Sequence, residues 1–412
     1  MPSTWARIEE LAAGSPLLPN LQGLRFIWRS PESTEILFTV PPSLRLLDVR
    51  VRRSVDSLRN AGLSAEEHRQ ATLKTLYNAF SMTPNLTSLQ LRTEGLDIDT
   101  MSSPIANMRH LQTITFDQSA MVSVPTLRLL SALPALKTAI FGQIVWTTGS
   151  DLPFSGFRNL EELHIFNHGH PTNRNFYDVF SSPRLRNIQI TKYTRSLSTS
   201  FQDTCHTWAR RFHSLESIKC FLESELRGNE EQPQPISQAV RPLSNIPTLT
   251  QLCLVFEWNT SISQFTVSDR DITEIATAFP RLKKLILRAS NRNPPIGPDI
   301  IGVGSLFLLA SKCPFLEMLH LGRVDICHPT LAQTEQLVLK APEHRLRNFR
   351  ITYIAVDTAD VTRAAGLIDR LFPHLITIPS SKERKLMDAN NGAVWDSIAA
   401  YQTSRRECDI AQ

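Results

Sequence analysis

One phrase of apolar and polar positions recurs from end to end of the chain. An anchor leucine is followed by two residues, an apolar residue, one residue and a second apolar residue. Leu44/Leu47/Val49, Leu86/Leu89/Leu91, Leu163/Ile165 after Leu160, Leu249/Leu252/Leu254 and Leu316/Leu319/Leu321 are representative, and a degenerate last copy stands at Leu375/Ile378. Successive anchors mostly stand 23 to 34 residues apart, the step from Leu44 to Leu86 being longer. The closing apolar–x–apolar segments alternate, which predicts short strands with one buried face. Proline sits two residues before the anchor in most copies, as at Pro42, Pro84, Pro134, Pro247, Pro280 and Pro314. Lacking an N–H and disfavouring helix in the residue before it, proline ends one element and starts extended chain.

Between the anchors the apolar spacing changes to about 3.6 residues, which predicts helices. Such segments run over Leu63–Phe80, Thr126–Leu133, Phe176–Phe180, Phe201–Phe212, Asp271–Phe279, Ser305–Cys313, Thr330–Ala341 and Val361–Phe372, with Ser268-Asp269 and Asp357-Thr358 as caps. A further helix is expected over Asn390–Arg406, with Val394, Trp395, Ile398, Ala399 and Tyr401 on one face, and a short one over Thr4–Ala13. The segments Leu222–Pro242 and Asn291–Gly304 read as polar loops.

A strand and a helix repeated about twelve or thirteen times imply a leucine-rich-repeat solenoid of the α/β class. The expected form is a right-handed α/β horseshoe with a parallel concave sheet and helices outside. The organisation expected is a short N-terminal helical segment over 1–16, the solenoid over 17–380, and a C-terminal helix and tail over 381–412. A doubly wound sheet is excluded because its strands would be continuously apolar.

Composition narrows the function. The 412 residues carry 44 Lys+Arg against 39 Asp+Glu, a net +5 spread along the chain without a basic block, which argues against nucleic acid. No apolar run approaches a membrane span or a secretory leader. Six scattered cysteines without a CxxC read as reduced thiols in the cytoplasm or nucleus.

Signals for catalysis are weak. His164, His168 and His170 resemble a metal cluster, but the first falls on a strand and the others in a loop. Gly302-Val303-Gly304-Ser305 resembles a phosphate loop but lacks the Gly-Lys-Ser/Thr of a P-loop, and reads as a glycine turn entering a helix. Cys220 reads as a small buried hydrophobe. No catalytic residue, cofactor or metal is expected, and the chain reads as a non-enzyme.

Binding is the better expectation. The strand phase turns the residues between the apolar pair toward the concave face. There Phe166, Phe221 and Val255 stand with Lys219, Lys284, Arg288, His320 and Arg350, apolar anchors among cations suited to an acidic protein segment.

The irregular units, the "PxL" openings such as Phe279-Pro280-Arg281-Leu282, and the segments LPNLQGLRF (Leu18–Phe26) and PPSLRLLDV (Pro41–Val49) are similar to the repeat region of fungal F-box/leucine-rich-repeat proteins. The resemblance implies a substrate-recognition role in an F-box-type SCF ubiquitin ligase, the F-box binding the adaptor of a cullin–RING ligase and the repeats capturing substrate. No F-box is visible before the first repeat near Leu18, so that module is expected to be missing or truncated. The alternatives are a repeat-only scaffold or inhibitor unconnected with ubiquitin, and, less in keeping with the irregular steps and basic C-terminal stretch, a GTPase-activating solenoid.

Overall fold

A strand that alternates apolar and polar residues buries one face only, and it needs neighbours for its N–H and C=O groups. Both needs are met by stacking. The computed structural model describes residues 17–28, 37, 39–51, 64–93, 98–145, 154–167, 176–194, 201–223, 234–257, 265–289, 301–326, 344–375 and 389–411. They belong to two units, Met1–Tyr193 and Thr194–Gln412.

The first unit runs β1 (Gly23–Trp28), β2 (Leu46–Val51), α1 (Ala65–Ser81), β3 (Ser88–Thr93), α2 (Ser102–Ala106), β4 (Thr113–Phe116), β5 (Met121–Ser123), α3 (Val124–Ser131), β6 (Thr138–Val145), β7 (Glu162–Asn167) and β8 (Asn187–Thr194). Its sheet has the order β1-β2-β3-β4-β6-β7-β8, with β5 against the end of β6, and the paired strands are parallel. The second unit runs α4 (Phe201–Arg211), β9 (Ser217–Glu223), β10 (Gln234–Pro235), α5 (Ile236–Val240), β11 (Gln251–Glu257), β12 (Phe265–Thr266), α6 (Asp269–Ala278), β13 (Lys284–Ala289), β14 (Ile301–Gly302), α7 (Val303–Lys312), β15 (Met318–Asp325), β16 (Asn348–Ala355), α8 (Val361–Leu371) and α9 (Ala389–Ala411). Its strands pair in the order β9-β11-β13-β15-β16, again parallel, with β14 on β15 and a separate β10–β12 pair. One main strand per repeat, in register, with helices on the anchor side, makes this an α/β leucine-rich-repeat solenoid.

The anchors and their apolar partners form the core. Leu44, Leu86, Leu111, Leu160, Leu215, Leu282, Leu316 and Leu346 are fully buried, as are Leu89, Ile114, Ile218, Leu252, Leu285 and Leu319. The first copy differs, Leu21, Leu24 and Phe26 being half-buried while Trp28 is enclosed.

The residue just before the anchor ties several repeats to the one before. Ser43 Oγ donates to the Pro19 carbonyl (2.6 Å), Asn85 Nδ2 to that of Pro42 (3.1 Å) and Asn159 Nδ2 to that of Pro134 (2.7 Å). In the second unit Thr248 Oγ1 reaches the carbonyls of His213 (3.0 Å) and Leu215 (2.8 Å). Proline has lost its donor but not its acceptor, and the next repeat uses it. Where histidine replaces proline, at His344, the buried ring bridges two groups: Nδ1 accepts from the Leu346 N–H (3.0 Å) and Nε2 bonds the Cys313 carbonyl (2.9 Å).

The helices begin where expected at α1, α4, α6 and α8, and Ser268 caps α6 in a reciprocal pair with Asp271. Asp357 makes no side-chain cap bond. Three sequence expectations need correction. The second half of Leu222–Pro242 is helical, because Ile236, Ala239 and Val240 of α5 are buried against the neighbouring repeats. Of Asn291–Gly304, Ile301–Gly302 is strand and Val303–Gly304 opens α7. In α9 the buried face is Val394, Trp395, Ile398 and Gln402, whereas Tyr401 is 38% exposed. The spacing i, i+4, i+8 from Val394 selects Gln402, not Tyr401. The expected helices over Thr4–Ala13 and Thr330–Ala341 lie outside the described residues.

Candidate functional site: the helix-free sheet face

Residues that the strand phase turns away from the core line up in columns across each sheet. In the second unit the central column is Lys219, Cys253, Ile286, His320 and Arg350, each in register with the next. One column begins at Ser217, Gln251 and Lys284 and continues through Met318 and Asn348. The other holds Phe221, Val255 and Arg288, also in register. The structure therefore brings Lys219, Phe221, Val255, Lys284, Arg288, His320 and Arg350 onto one sheet face. Phe166 stands on β7 of the first unit.

Burial grades these residues. Lys219, Phe221, Lys284, Arg288 and His320 are half-buried and Arg350 is exposed. Val255 is in the outward column but only 5% exposed. Phe221 and Arg288 stand opposite it on the two neighbouring strands. Cys253 is 6% exposed in the same way, between Lys219 and Ile286. Burial pushes the Cys253 thiol up, while the ammonium groups of Lys284 and Lys219 act in the opposite sense. Cys220, on the core side, is pushed up still further by burial, as a packed hydrophobe should be.

None of these three columns contains a carboxylate. Acidic residues stand outside them in sequence position: Glu216 and Glu317 precede β9 and β15, Asp325 ends β15, and Glu223 and Glu257, in register with each other, end β9 and β11 two residues beyond Phe221 and Val255. Among the described residues no ion pair involves Lys219, Lys284 or Arg288. His320 Nε2 lies 3.4 Å from Thr352 Oγ1.

The first unit's face has a different composition. Arg25 pairs with Asp48 across β1 and β2 at 2.8 Å. Glu162 accepts from Asn187 Nδ2 at 3.1 Å. His164 is bound to Thr191 Oγ1 (2.7 Å) and Gln189 Nε2 (3.2 Å), and its ring lies 4.3 Å from that of Phe166. His164 is thus engaged by neighbouring strands. His168 and His170 lie outside the described residues, and among the described residues no group of three potential metal ligands occurs. Gly142 has no room for a side chain: an added Cβ would meet the Asp117 and Ala120 carbonyls.

The glycine turn before α7 faces a carboxylate of the preceding repeat. Its helix N-terminus is already occupied by Asp269, which accepts from the Gly302 N–H (2.7 Å) and from Ser305 Oγ. A carboxylate supplies the negative charge that such a terminus favours. A Cβ at residue 302 would come 2.9 Å from Asp269 Oδ2, so glycine is what lets the acid approach. Asp99 does the same for α3, accepting from Ser123 Oγ (2.7 Å) and Thr126 Oγ1. On the helix side, an open groove of about 420 Å³ lies between α5 and α6, lined by Ser237, Arg241, Thr273 and Glu274 among others. Glu274 is held by Arg270 at 2.9 Å, so the groove gathers no convergent chemistry.

The free-cysteine reading agrees at Cys205, Cys220, Cys253 and Cys313, all buried thiols. No helix among the described residues is long and apolar enough to cross a membrane.

No protein-family profile matches the chain. No curated protein matches it in sequence. Among solved structures, the chain is similar to an internalin from Listeria monocytogenes, at 14% identity and a TM-score of 0.32, over 85% of this chain and 81% of that one.

Proposed function

We propose that this protein is a non-enzymatic, protein-binding solenoid, acting in the cytoplasm or nucleus, that captures a partner segment on the helix-free face of its second unit. One observation carries the reading: three aligned columns in which Lys219, Lys284, Arg288 and Arg350 surround Phe221, Cys253 and Ile286 without a carboxylate among them. Folding requires apolar residues on the core side of a strand, not on its other side. Apolar groups beside cations there match an acidic protein segment, with aromatic contact supplying hold and charge supplying orientation. Phe166 on β7 is proposed as a further apolar contact on the face of its own unit.

The finer assignment we propose is substrate recognition in an F-box-type SCF ubiquitin ligase. It rests on the resemblance of the PxL openings and the LPNLQGLRF and PPSLRLLDV segments. Two experiments test the two levels. A displayed peptide library panned on the full chain should enrich acidic sequences, and Phe221→Ala with Arg288→Ala should abolish that enrichment while leaving the melting temperature nearly unchanged. Enrichment that survives the double substitution removes the face from consideration. For the finer level, the protein expressed from its natural locus should co-purify with the cullin–RING adaptor; its consistent absence would leave a scaffold.

A further inference from the structure

Cations that the sequence spreads over four repeats are gathered by the fold onto one edge of the first unit. Parallel strands all start at the same edge of their sheet, so the turns leading into β4, β6, β7 and β8 lie side by side. Backbone bonds lock these turns together. The Lys137 N–H donates to the Gln112 carbonyl (2.8 Å), the Glu161 N–H to that of Lys137 (2.7 Å) and the Arg186 N–H to that of Glu161 (2.8 Å). The turns, residues 107–112, 132–137, 155–161 and 180–186, are described throughout. Arg109, Lys137, Arg158 and Arg184 stand in them, and all four are exposed. Among the described residues no hydrogen bond or ion pair engages these four side chains. Arg186 stands in the same row and is engaged by the fold. Glu161, half-buried, is the one carboxylate of the four turns, and Glu162, the first residue of β7, accepts from Asn187.

Arg158 and Arg184 are joined through one buried hydroxyl. Ser182 Oγ donates to the Arg158 carbonyl (3.1 Å) and accepts from the Arg184 N–H (3.2 Å). Asn159, the neighbour of Arg158, is tied in turn to the Pro134 carbonyl at 2.7 Å, in the turn that carries Lys137. The backbone beneath three cations is therefore fixed before any partner arrives, on strands about 4.8 Å apart. Folding does not call for charge at these positions. Among the described residues no α-helix stands between β6 and β8, only the 3-10 turn Phe176–Val179, so no helix dipole asks for Arg158 or Arg184. Acids at the helix starts of the same unit, by contrast, are used by the fold: Glu67 caps α1 with Ser64, and Asp99 binds Ser123 at the start of α3.

Guanidinium groups on adjacent strands repel one another until an anion sits between them. A carboxylate brings one charge and two oxygens. A phosphate monoester brings nearly two charges and three strong acceptor oxygens, which two arginines and a lysine can share. The four turns expose no phenylalanine, tyrosine or tryptophan, Phe157 and Phe180 being buried. They therefore offer a nucleic-acid base no stacking surface and a bilayer no apolar foothold. From this arrangement we infer that the edge binds a phosphoserine or phosphothreonine of a protein partner, with its phosphate between Arg158 and Arg184 and its flanking acidic residues toward Lys137 and Arg109. The surface belongs to the first unit and does not rest on the proposed role of the second unit's face.

The test uses the full chain, immobilised, and three peptide libraries that are degenerate except at a central residue fixed as phosphoserine, glutamate or serine. The phosphoserine library is expected to be retained at least about fivefold more than the glutamate library, with retention falling as salt rises. Arg158→Gln with Arg184→Gln should bring it down to the level of the serine library, and Lys137→Gln should lower it about twofold, with circular dichroism melts unchanged because these side chains are exposed. Phe221→Ala with Arg288→Ala, on the other unit, should leave it unchanged. Equal retention of the phosphoserine library and either control overturns the phosphate. Retention that survives the Arg158 and Arg184 substitutions, or that is lost with Phe221 and Arg288 instead, overturns the edge and leaves the acidic-segment reading of the second unit's face standing. A single-stranded oligonucleotide or a phosphatidylserine vesicle that binds more tightly than the phosphoserine library, and loses binding with the same arginine pair, overturns the partner.

Discussion

The two units build their sheets by the same rule and finish the outer faces differently. On the first unit, Arg25 is matched by Asp48, Glu162 by Asn187, and His164 by Thr191 and Gln189. On the second, Lys219, Lys284 and Arg288 stand in columns free of acid. The inner faces are interchangeable layers of leucine and isoleucine, because they answer to one demand, the removal of apolar area from water. The outer faces answer to no such demand. Where they differ, the difference is one that folding does not dictate, and it is on this side that the proposed binding role has to be tested.

The largest effect should come from confusing the two sides. Leu163→Ala in the first unit and Leu252→Ala in the second should each cost about 2–5 kcal/mol, measured by denaturant unfolding, since both side chains are buried. Equal tolerance of these and of outward substitutions would erase the distinction. Next is charge. Lys219→Glu with Arg288→Glu should weaken an acidic peptide at least about tenfold, whereas Arg50→Glu with Arg92→Glu, two cations in register on β2 and β3 of the first unit, should change it less than about twofold. Equal losses from both pairs would make the effect one of net charge.

A smaller effect concerns pH. Burial holds the His344 imidazole below its ordinary 6.5, against the pull of its bond to the Cys313 carbonyl. The unfolded chain therefore takes up this proton first. The contribution of His344 is complete above pH 6.5 and declines as pH falls through that value toward the lower folded one. Melting temperatures between pH 5 and 8 should fall on the acid side, and His344→Gln should flatten that part of the profile. The smallest effect is expected at Arg25→Ala. Its ion pair with Asp48 is largely exposed on the arginine side, so unfolding free energy should change by no more than about 1 kcal/mol.

Much of this was legible in the chain. The apolar phase places Cys253 opposite Lys219 and Ile286, and the ladder registers agree residue by residue. The proline spacing locates the starts of strands because its cause is local. What stayed hidden depends on distant partners. α5 is five residues long in a proline- and glutamine-rich stretch, and its helix is held by burial of Ile236 and Val240, not by its own propensity. Gln402 occupies a buried position that no hydropathy pattern assigns to glutamine. Val255 is nearly enclosed although the strand phase turns it outward, in register with Phe221 and Arg288 on the neighbouring strands. The acid that fills the turn at Gly302 lies 33 residues upstream. For the proposed site, the strand phase alone puts the residues on one face, but which of them stand side by side needed the pairing order.

The bonds from Ser43 to Pro19, Asn85 to Pro42 and Asn159 to Pro134 all run backward, from a later repeat to an earlier carbonyl. On a ribosome the acceptor is therefore always made before its donor. Each arriving repeat finds a template already in place, and nothing in these bonds waits for residues still to be translated. The stack can grow in the direction of synthesis, one repeat at a time, exposing at any moment only the apolar edge of the newest unit to the crowded surroundings of a nascent chain.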